Sequence, residues 1–458
     1  MHQRTRRRLV SRGTLGMLGV ALGVALALNV APLAANPGEG RGHGAGADGR
    51  GEPPGPPLDL GIEVLLEEEL DRLEGKNVGI ITNPTGVTRD LDHIVDELVE
   101  REDEGGFEVT ALYAPEHGIR GGAEAGVGID KYIDERTGLP VWSLYGDQQR
   151  PDEDMLEGVD TLVFDIQDIG TRFYTYIWTM YYAMDAAGEY DREFLVLDRP
   201  NPLGDTMEGP VLDPDLSSFV GLEPIPLRHG MTVGELARYF DGEFIEFDVD
   251  LDVVEMNRYR PEFSDTWYGQ EWVLQSPNMP TQDTAYVYPG MGLIESVNYS
   301  EGRGTTKPFE WIGAPWLGDV EATELADELD SRDLPGVTFR PHFLTPSMSW
   351  WEGELSGGVQ VHVTEPHEFE PIRTGIHVLD ALFEYDETEW RENDPEFAWY
   401  DPDAPCEDLE DICWIDRLSG DRDVRLQLED GVHPDDIVES WQDELEEFRE
   451  RAEAYRLY

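Results

Sequence analysis

The sequence predicts an α/β protein built on a mostly parallel, doubly wound sheet and continued by a smaller α+β domain. Three observations carry that prediction. Short apolar runs of strand length recur between residues 77 and 197, separated by stretches of helical periodicity, which is the alternation βαβ units leave in a sequence. Runs such as LVF at 162–164 and FLVL at 194–197 are continuously apolar, as in parallel strands covered on both faces. Each run also ends in a polar loop shaped by glycine or proline. Those loops therefore fall on one edge of one sheet, where open α/β sheets bind ligands.

Taken in order, the chain begins with Arg4, Arg6, Arg7 and Arg8 ahead of an apolar run over 15–28, the pattern of an export signal spanning residues 1–35. The segment from Thr5 to Val10, TRRRLV, resembles a twin-arginine signal. No clean A-x-A precedes Asn36, which leaves an uncleaved anchor as the alternative; cleavage is the preferred reading. In the second case the protein would touch a membrane. Residues 36–57 form a Gly/Pro linker with almost nothing apolar to bury, and folding begins near Leu58. Strands are expected at 77–82, 107–113, 141–144, 161–165 and 194–197, with helices at 91–101 and 172–188. Thr232-Val233-Gly234-Glu235 fits a capping box at the start of a helix over 232–240. Residues 285–288 (AYVY) read as strand-like, 358–364 as a strand and 436–455 as a closing charged helix. The first domain is placed at 58–290 and the smaller one at 291–458.

The 458 residues leave room for two or three domains, and 97 Asp plus Glu against 34 Lys plus Arg give a formal charge of −63. Phosphate backbones and anionic membranes would repel such a chain, so nucleic acid is excluded as a partner. Acid spread along the whole length suggests a halophile's solvated surface, and a carboxylate therefore needs local context before it counts as functional. Cys406 and Cys413 are the only cysteines. A local disulfide suits an exported protein, with two free thiols as the alternative. The histidines are spread singly and HExxH is absent. Neither a G-x-S-x-G elbow nor a glycine-rich phosphate cradle occurs, so no metal or cofactor is expected.

The chemistry concentrates around residues 162–176, LVFDIQDIGTRFYTY, where a strand passes into a loop dense with ionisable and aromatic groups. In the preceding strand-end loop, the Glu116-His117 pair suits general acid–base work, because burial raises a carboxyl pKa towards neutrality. Breaking a glycosidic bond requires such a proton donor and a second carboxylate, for which Asp165, Asp168, Asp198 and Glu301 are candidates. Tyr145, Phe173, Tyr174 and Trp311 could stack on sugar faces. Arg120, Arg172, Arg199 and Arg303 could grip a ligand carboxylate through two hydrogen bonds, while Asn83, Asn201 and Asn278 could bond hydroxyl or amide groups. The plainer reading is that the arginines pair with neighbouring acids, Asp165 and Asp168 included, and that the asparagines close turns.

The segments GIITNPTGV, YAPEHGIRG, TGLPVWSLYG, LVFDIQDIGTRFYTYIWTM, VLDRPNPLG, SPNMPT and SEGRGTTKPFEWIGAPW resemble the exo-β-N-acetylmuramidase family, over nearly all of the chain from Leu58. The resemblance implies a Rossmann-like domain joined to a smaller one, with the site in the cleft between them. It implies release of N-acetylmuramic acid from the non-reducing ends of peptidoglycan fragments, without a cofactor or a stable protein partner. On this alignment Glu116 of APEHG is the leading acid/base and His117 follows it. Asp165, Asp168, Arg172 and Tyr174 fall in the DIQDIGTRFYTY segment, and Asp198, Arg199 and Asn201 in the DRPNP loop. Asn278 lies in SPNMPT, and Glu301 and Arg303 in SEGRGT. Which carboxylate acts second stays open, since the substrate's acetamido group could itself serve as nucleophile, oriented by Asp165 or Asp168. The chain departs from the family at Glu295-Ser296-Val297-Asn298, where EGTN is usual. The competing readings are a non-catalytic amino-sugar-binding exported protein, an esterase or amidase on wall fragments, and a hydrolase of another amino-sugar polymer in a halophile.

Overall fold

The computed structural model describes residues 58–121, 131–146, 148–262, 270–391 and 411–458. The export signal, the linker and Cys406 lie outside the described residues; Cys413 is disulfide-bonded.

A seven-stranded sheet organises the first part of the chain. Its strands are β1 (Asn77–Thr82), β2 (Glu108–Ala114), β3 (Tyr132–Ile133), β4 (Pro140–Ser143), β5 (Thr161–Asp165), β6 (Glu193–Leu197) and, after a two-stranded ribbon of β7 (Glu208–Val211) and β8 (Pro226–Arg228), β9 (Asp250–Val254). The order is β3-β4-β2-β1-β5-β6-β9. Every pairing is parallel except β3 with β4. The chain winds outward from β1 through β2 to β4, then returns to the other side of β1 and winds through β5 and β6 to β9. The winding reverses between β1 and β5, so this is a doubly wound, Rossmann-like sheet.

Alternation along the strands explains why both faces are covered. Val78, Ile80, Val163, Leu195 and Leu197 enter one buried cluster, whereas Ile81, Leu162, Phe164, Phe194 and Val196 enter the other. The second cluster continues into the smaller antiparallel sheet of β10 (Trp311–Ala314), β11 (Val337–Leu344) and β12 (Ser356–Val363), whose order is β10-β12-β11. The chain's last residues return to the first sheet. The Tyr458 hydroxyl donates to Asp198 at 2.8 Å and accepts the Met256 N–H at 2.7 Å.

Two elements differ from the sequence expectation. Residues 285–288 are not strand-like but belong to a helix, Gln282–Met291, that is buried at every residue except Asp283. Thr281 caps it by accepting the Thr284 N–H. The helix has no polar face, so helical periodicity was invisible and the β-favouring AYVY composition misled. It presses on helix Pro371–Leu382 so closely that a Cβ on Gly290 would sit 1.8 Å from the Pro371 carbonyl oxygen. The closing segment is two helices, Pro434–Ser440 and Gln442–Ala452, with a short turn at Glu453–Tyr455. They break at Trp441, which turns its buried ring inward.

Candidate active site

The loop after β2 places the first reactive pair. Gly118 donates its N–H to the Pro115 carbonyl at 3.1 Å, closing a turn in which His117 has φ 70° and Gly118 φ 76°. The left-handed region suits glycine but strains histidine. Such strain, held by surrounding structure, is characteristic of functional sites. The turn presents Glu116 and His117 to a cleft of about 540 Å³. Tyr145 of the loop after β4 lines the same cleft, as do Phe173, Tyr174 and Tyr176 from the segment after β5.

The opposite wall comes from later in the chain. Asn278, Tyr288, Glu295, Arg303 and Phe309 contribute to it, together with Trp350 and Trp351 from the loop between β11 and β12. The aromatic rings lock one another edge-to-face. Tyr288 stands 5.1 Å from Phe173, 5.9 Å from Tyr174 and 4.6 Å from Phe309 between ring centroids. Burial, aided by Glu116, raises the Tyr176 phenol, and burial with Glu295 does the same to Tyr288. Both hydroxyls stay protonated donors at any ordinary pH. Arg303 is ion-paired to Glu295 at 2.7 Å and to Glu301 at 2.9 Å. Burial pushes the Glu295 carboxyl up while Arg303 opposes the rise. A fixed carboxyl pair, aromatic faces and a cation in one cavity suit a charged sugar.

Models of the two domains of exo-beta-N-acetylmuramidase NamZ match the chain, the N-terminal one over residues 78–283 and the C-terminal one over 286–458. The chain belongs to the exo-beta-N-acetylmuramidase NamZ family. It is 46% identical over 408 residues to the peptidoglycan beta-N-acetylmuramidase NamZ of Bacillus subtilis (strain 168), an alignment covering 88% of this chain and 92% of that protein. Two crystal structures of DUF1343 family proteins from Bacteroides fragilis NCTC 9343 share its fold. One has a TM-score of 0.77 at 36% identity, covering 88% of this chain and 100% of that one. The other has a TM-score of 0.66 at 30% identity, covering 88% and 99%.

In this NamZ family member, seven residues picked from the sequence line the cleft: Glu116, His117, Tyr145, Phe173, Tyr174, Asn278 and Arg303; Trp311 is instead fully buried and donates to the His342 carbonyl. Glu301 lies behind Arg303, with 1% of its side chain accessible. The others are placed elsewhere. Asp165 and Arg199 are buried against each other in a two-pronged ion pair, one contact measuring 2.9 Å, and Arg199 also donates to the Val87 carbonyl. Asp168 accepts the Gly170 N–H at 2.6 Å and lies 3.0 Å from His229 Nε2. Since His229 Nδ1 accepts the Met231 N–H, the ring proton sits on Nε2 and points at Asp168. Arg172 is fully buried and donates to the carbonyls of Pro210, Ile225 and Leu418; burial lowers its pKa to about 9.

Asp198 is equally enclosed. It accepts from the Gly234 N–H and from the Thr232 and Tyr458 hydroxyls, and burial raises it to about 7. Asn201 closes its own turn through the Leu203 N–H and donates to the Met231 carbonyl. Asn83 is fully buried and accepts from the Thr85 backbone and hydroxyl. Arg120 is held by Asp134 and Asp96 on the outer side of the loop. For these residues the plainer reading, ion pairs and turn closure, describes what the structure shows.

Sequence reasoning passed over Tyr288, Glu295, Trp350, Trp351 and Arg391 as site residues, all of which line the cleft. Glu295 carried a signal, because it precedes the SEGRGT loop by a few residues. The adjacent tryptophans at 350–351, inside a polar Ser/Gly stretch, were a second.

Proposed function

We propose that this chain is an exo-acting glycoside hydrolase that releases N-acetylmuramic acid from the non-reducing ends of peptidoglycan fragments, with Glu116 as the proton donor. The observation that carries this reading is the position of Glu116: a strained turn holds it in a cleft walled by aromatic rings and furnished with cations. Protonating the glycosidic oxygen lets the C1–O bond break with its electron pair on the leaving sugar, and water completes the anomeric centre. The rings of Tyr145, Phe173 and Trp351 offer faces to the sugars, and Asn278 suits an acetamido or hydroxyl group. Muramic acid differs from glucosamine by its lactyl carboxylate, and the cleft arginines Arg303 and Arg391 give that group a partner.

The amino-terminal basic and apolar pattern supports export, and the acidic composition supports a protein working in high salt. The test is release of 4-nitrophenol from 4-nitrophenyl β-N-acetylmuramide at high salt, with the N-acetylglucosaminide as control. Muramide-selective turnover is the expected result; folded protein that cleaves neither would sink the reading.

A further inference from the structure

A hydrolase that protonates the leaving oxygen with Glu116 needs a second group to handle the attacking water, and the structure narrows where it lies. Three carboxylates line the cleft among the described residues: Glu116, Glu295 and Glu352. Glu352 is solvent-exposed on the loop between β11 and β12. Glu295 is different. It sits in a buried turn, Gly292–Ser296, with 12% of its side chain accessible and Arg303 at 2.7 Å. Glu116 and Glu295 line one cleft, with the Tyr288 ring also on its wall.

We propose that Glu295 is the second carboxylate of the reaction, the base that takes the proton from the attacking water. The inference rests on the muramidase reading above. In the step, the water oxygen bonds to C1 as the glycosidic C1–O bond breaks. The leaving oxygen keeps the electron pair and takes the Glu116 proton, while the water's proton passes to Glu295. One water is consumed, one muramic acid leaves, and exchange with solvent restores both carboxyls.

The arrangement around Arg303 fits this role. A carboxylate bound to its own arginine is a weak base, because the cation stabilises the ionised form. Arg303 instead divides its charge between Glu295 and Glu301, and burial, joined by Glu301, raises the Glu295 carboxyl against the pull of Arg303 and Arg391, which makes it a stronger base. Glu301 is the supporting member. It does not line the cleft, and its Oε2 is buried without a hydrogen-bond partner among the described residues.

The test uses the full chain and 4-nitrophenyl β-N-acetylmuramide. E295A should lose turnover by roughly a hundred-fold or more, the scale of a missing acid or base. Azide, which attacks without needing deprotonation, should restore it and yield the α-azide of N-acetylmuramic acid by NMR. E301A should show no azide rescue. Should E295A not fold, the isosteric E295Q serves, with loss of the acidic limb of the kcat/KM pH profile as its readout. A folded E295A that azide fails to restore, or one that turns over within ten-fold of wild type unaided, overturns the proposal. Wild-type protein that leaves the muramide intact overturns the muramidase reading instead, so the two failures are distinguishable.

Discussion

Two arginine–carboxylate constellations in this molecule use the same chemistry to opposite ends. At the sheet edge, Arg199 meets a single partner, Asp165, and both are buried with their polar atoms turned on each other and on local backbone. In the cleft, Arg303 meets two carboxylates, and Glu295 faces the cavity. The first constellation is neutral and closed, so it can only hold the β5 and β6 loops in register. The second carries an extra negative charge beside a cavity and has electrostatic work left to do when a substrate arrives. Charge balance and access, rather than residue type, separate a strut from a reactive site.

The largest expected effect separates the two regions by activity. E116Q should lower kcat by about 10²–10⁴-fold while leaving the thermal midpoint near that of wild type. R199M should do the reverse. It leaves Asp165 charged and uncompensated in the interior, a change that costs about 3–5 kcal/mol, read as a lowered urea midpoint, with a far smaller change in kcat for the folded protein. The double variant R199M/D165N should recover part of that loss. If R199M instead abolished turnover at unchanged stability, the distinction between strut and site would fail.

A smaller effect concerns pH. Asp198 ordinarily titrates near 3.8, and burial lifts it to about 7 in the folded chain. The native state therefore holds a proton that the unfolded chain has released between about pH 4 and 7. Stability present below pH 4 is lost as pH rises through that window, by up to ~4 kcal/mol for a shift of this size. Glu208, lifted to about 7 by burial, acts with the same sign. Urea midpoints measured from pH 4 to pH 8 should fall, and D198N should flatten the slope without abolishing it. An unchanged slope in D198N would show that Asp198 does not titrate there.

The parallel core was legible because its signal is local and repeated. NVGIIT and the 161–165 run occupy β1 and β5 with the bounds expected of them, and the Thr232 cap starts its helix. Helix Gln282–Met291 escaped because burial on every side erases the 3.6-residue pattern. The site was legible only in part for a related reason. Sequence shows which loops share a sheet edge but not which side chains turn inward to brace it, so Asp165, Asp168 and Asp198 stood as candidates for the second carboxylate and Arg199 for gripping a ligand. Glu295 offered only its nearness to the SEGRGT loop, since Ser296-Val297-Asn298 carries no charge pattern, and only the fold brings Arg303 back to it.

The smallest effect lies away from both constellations and tests whether their surroundings are additive. The Thr232 hydroxyl accepts the Glu235 N–H at 3.2 Å and donates to Asp198 at 2.8 Å, while Glu235 accepts the Thr232 N–H at 3.0 Å. T232A removes the cap, worth about 1 kcal/mol, and one of the donors that favour ionised Asp198. At pH 5, where Asp198 is protonated in the folded chain, the cost should be the cap and a hydrogen bond to a neutral carboxyl. At pH 8 the ionised carboxylate has lost a donor, so the destabilisation should be larger, and T232S should restore most of both. Equal losses at the two pH values would mean that the hydroxyl serves the helix and not the buried acid.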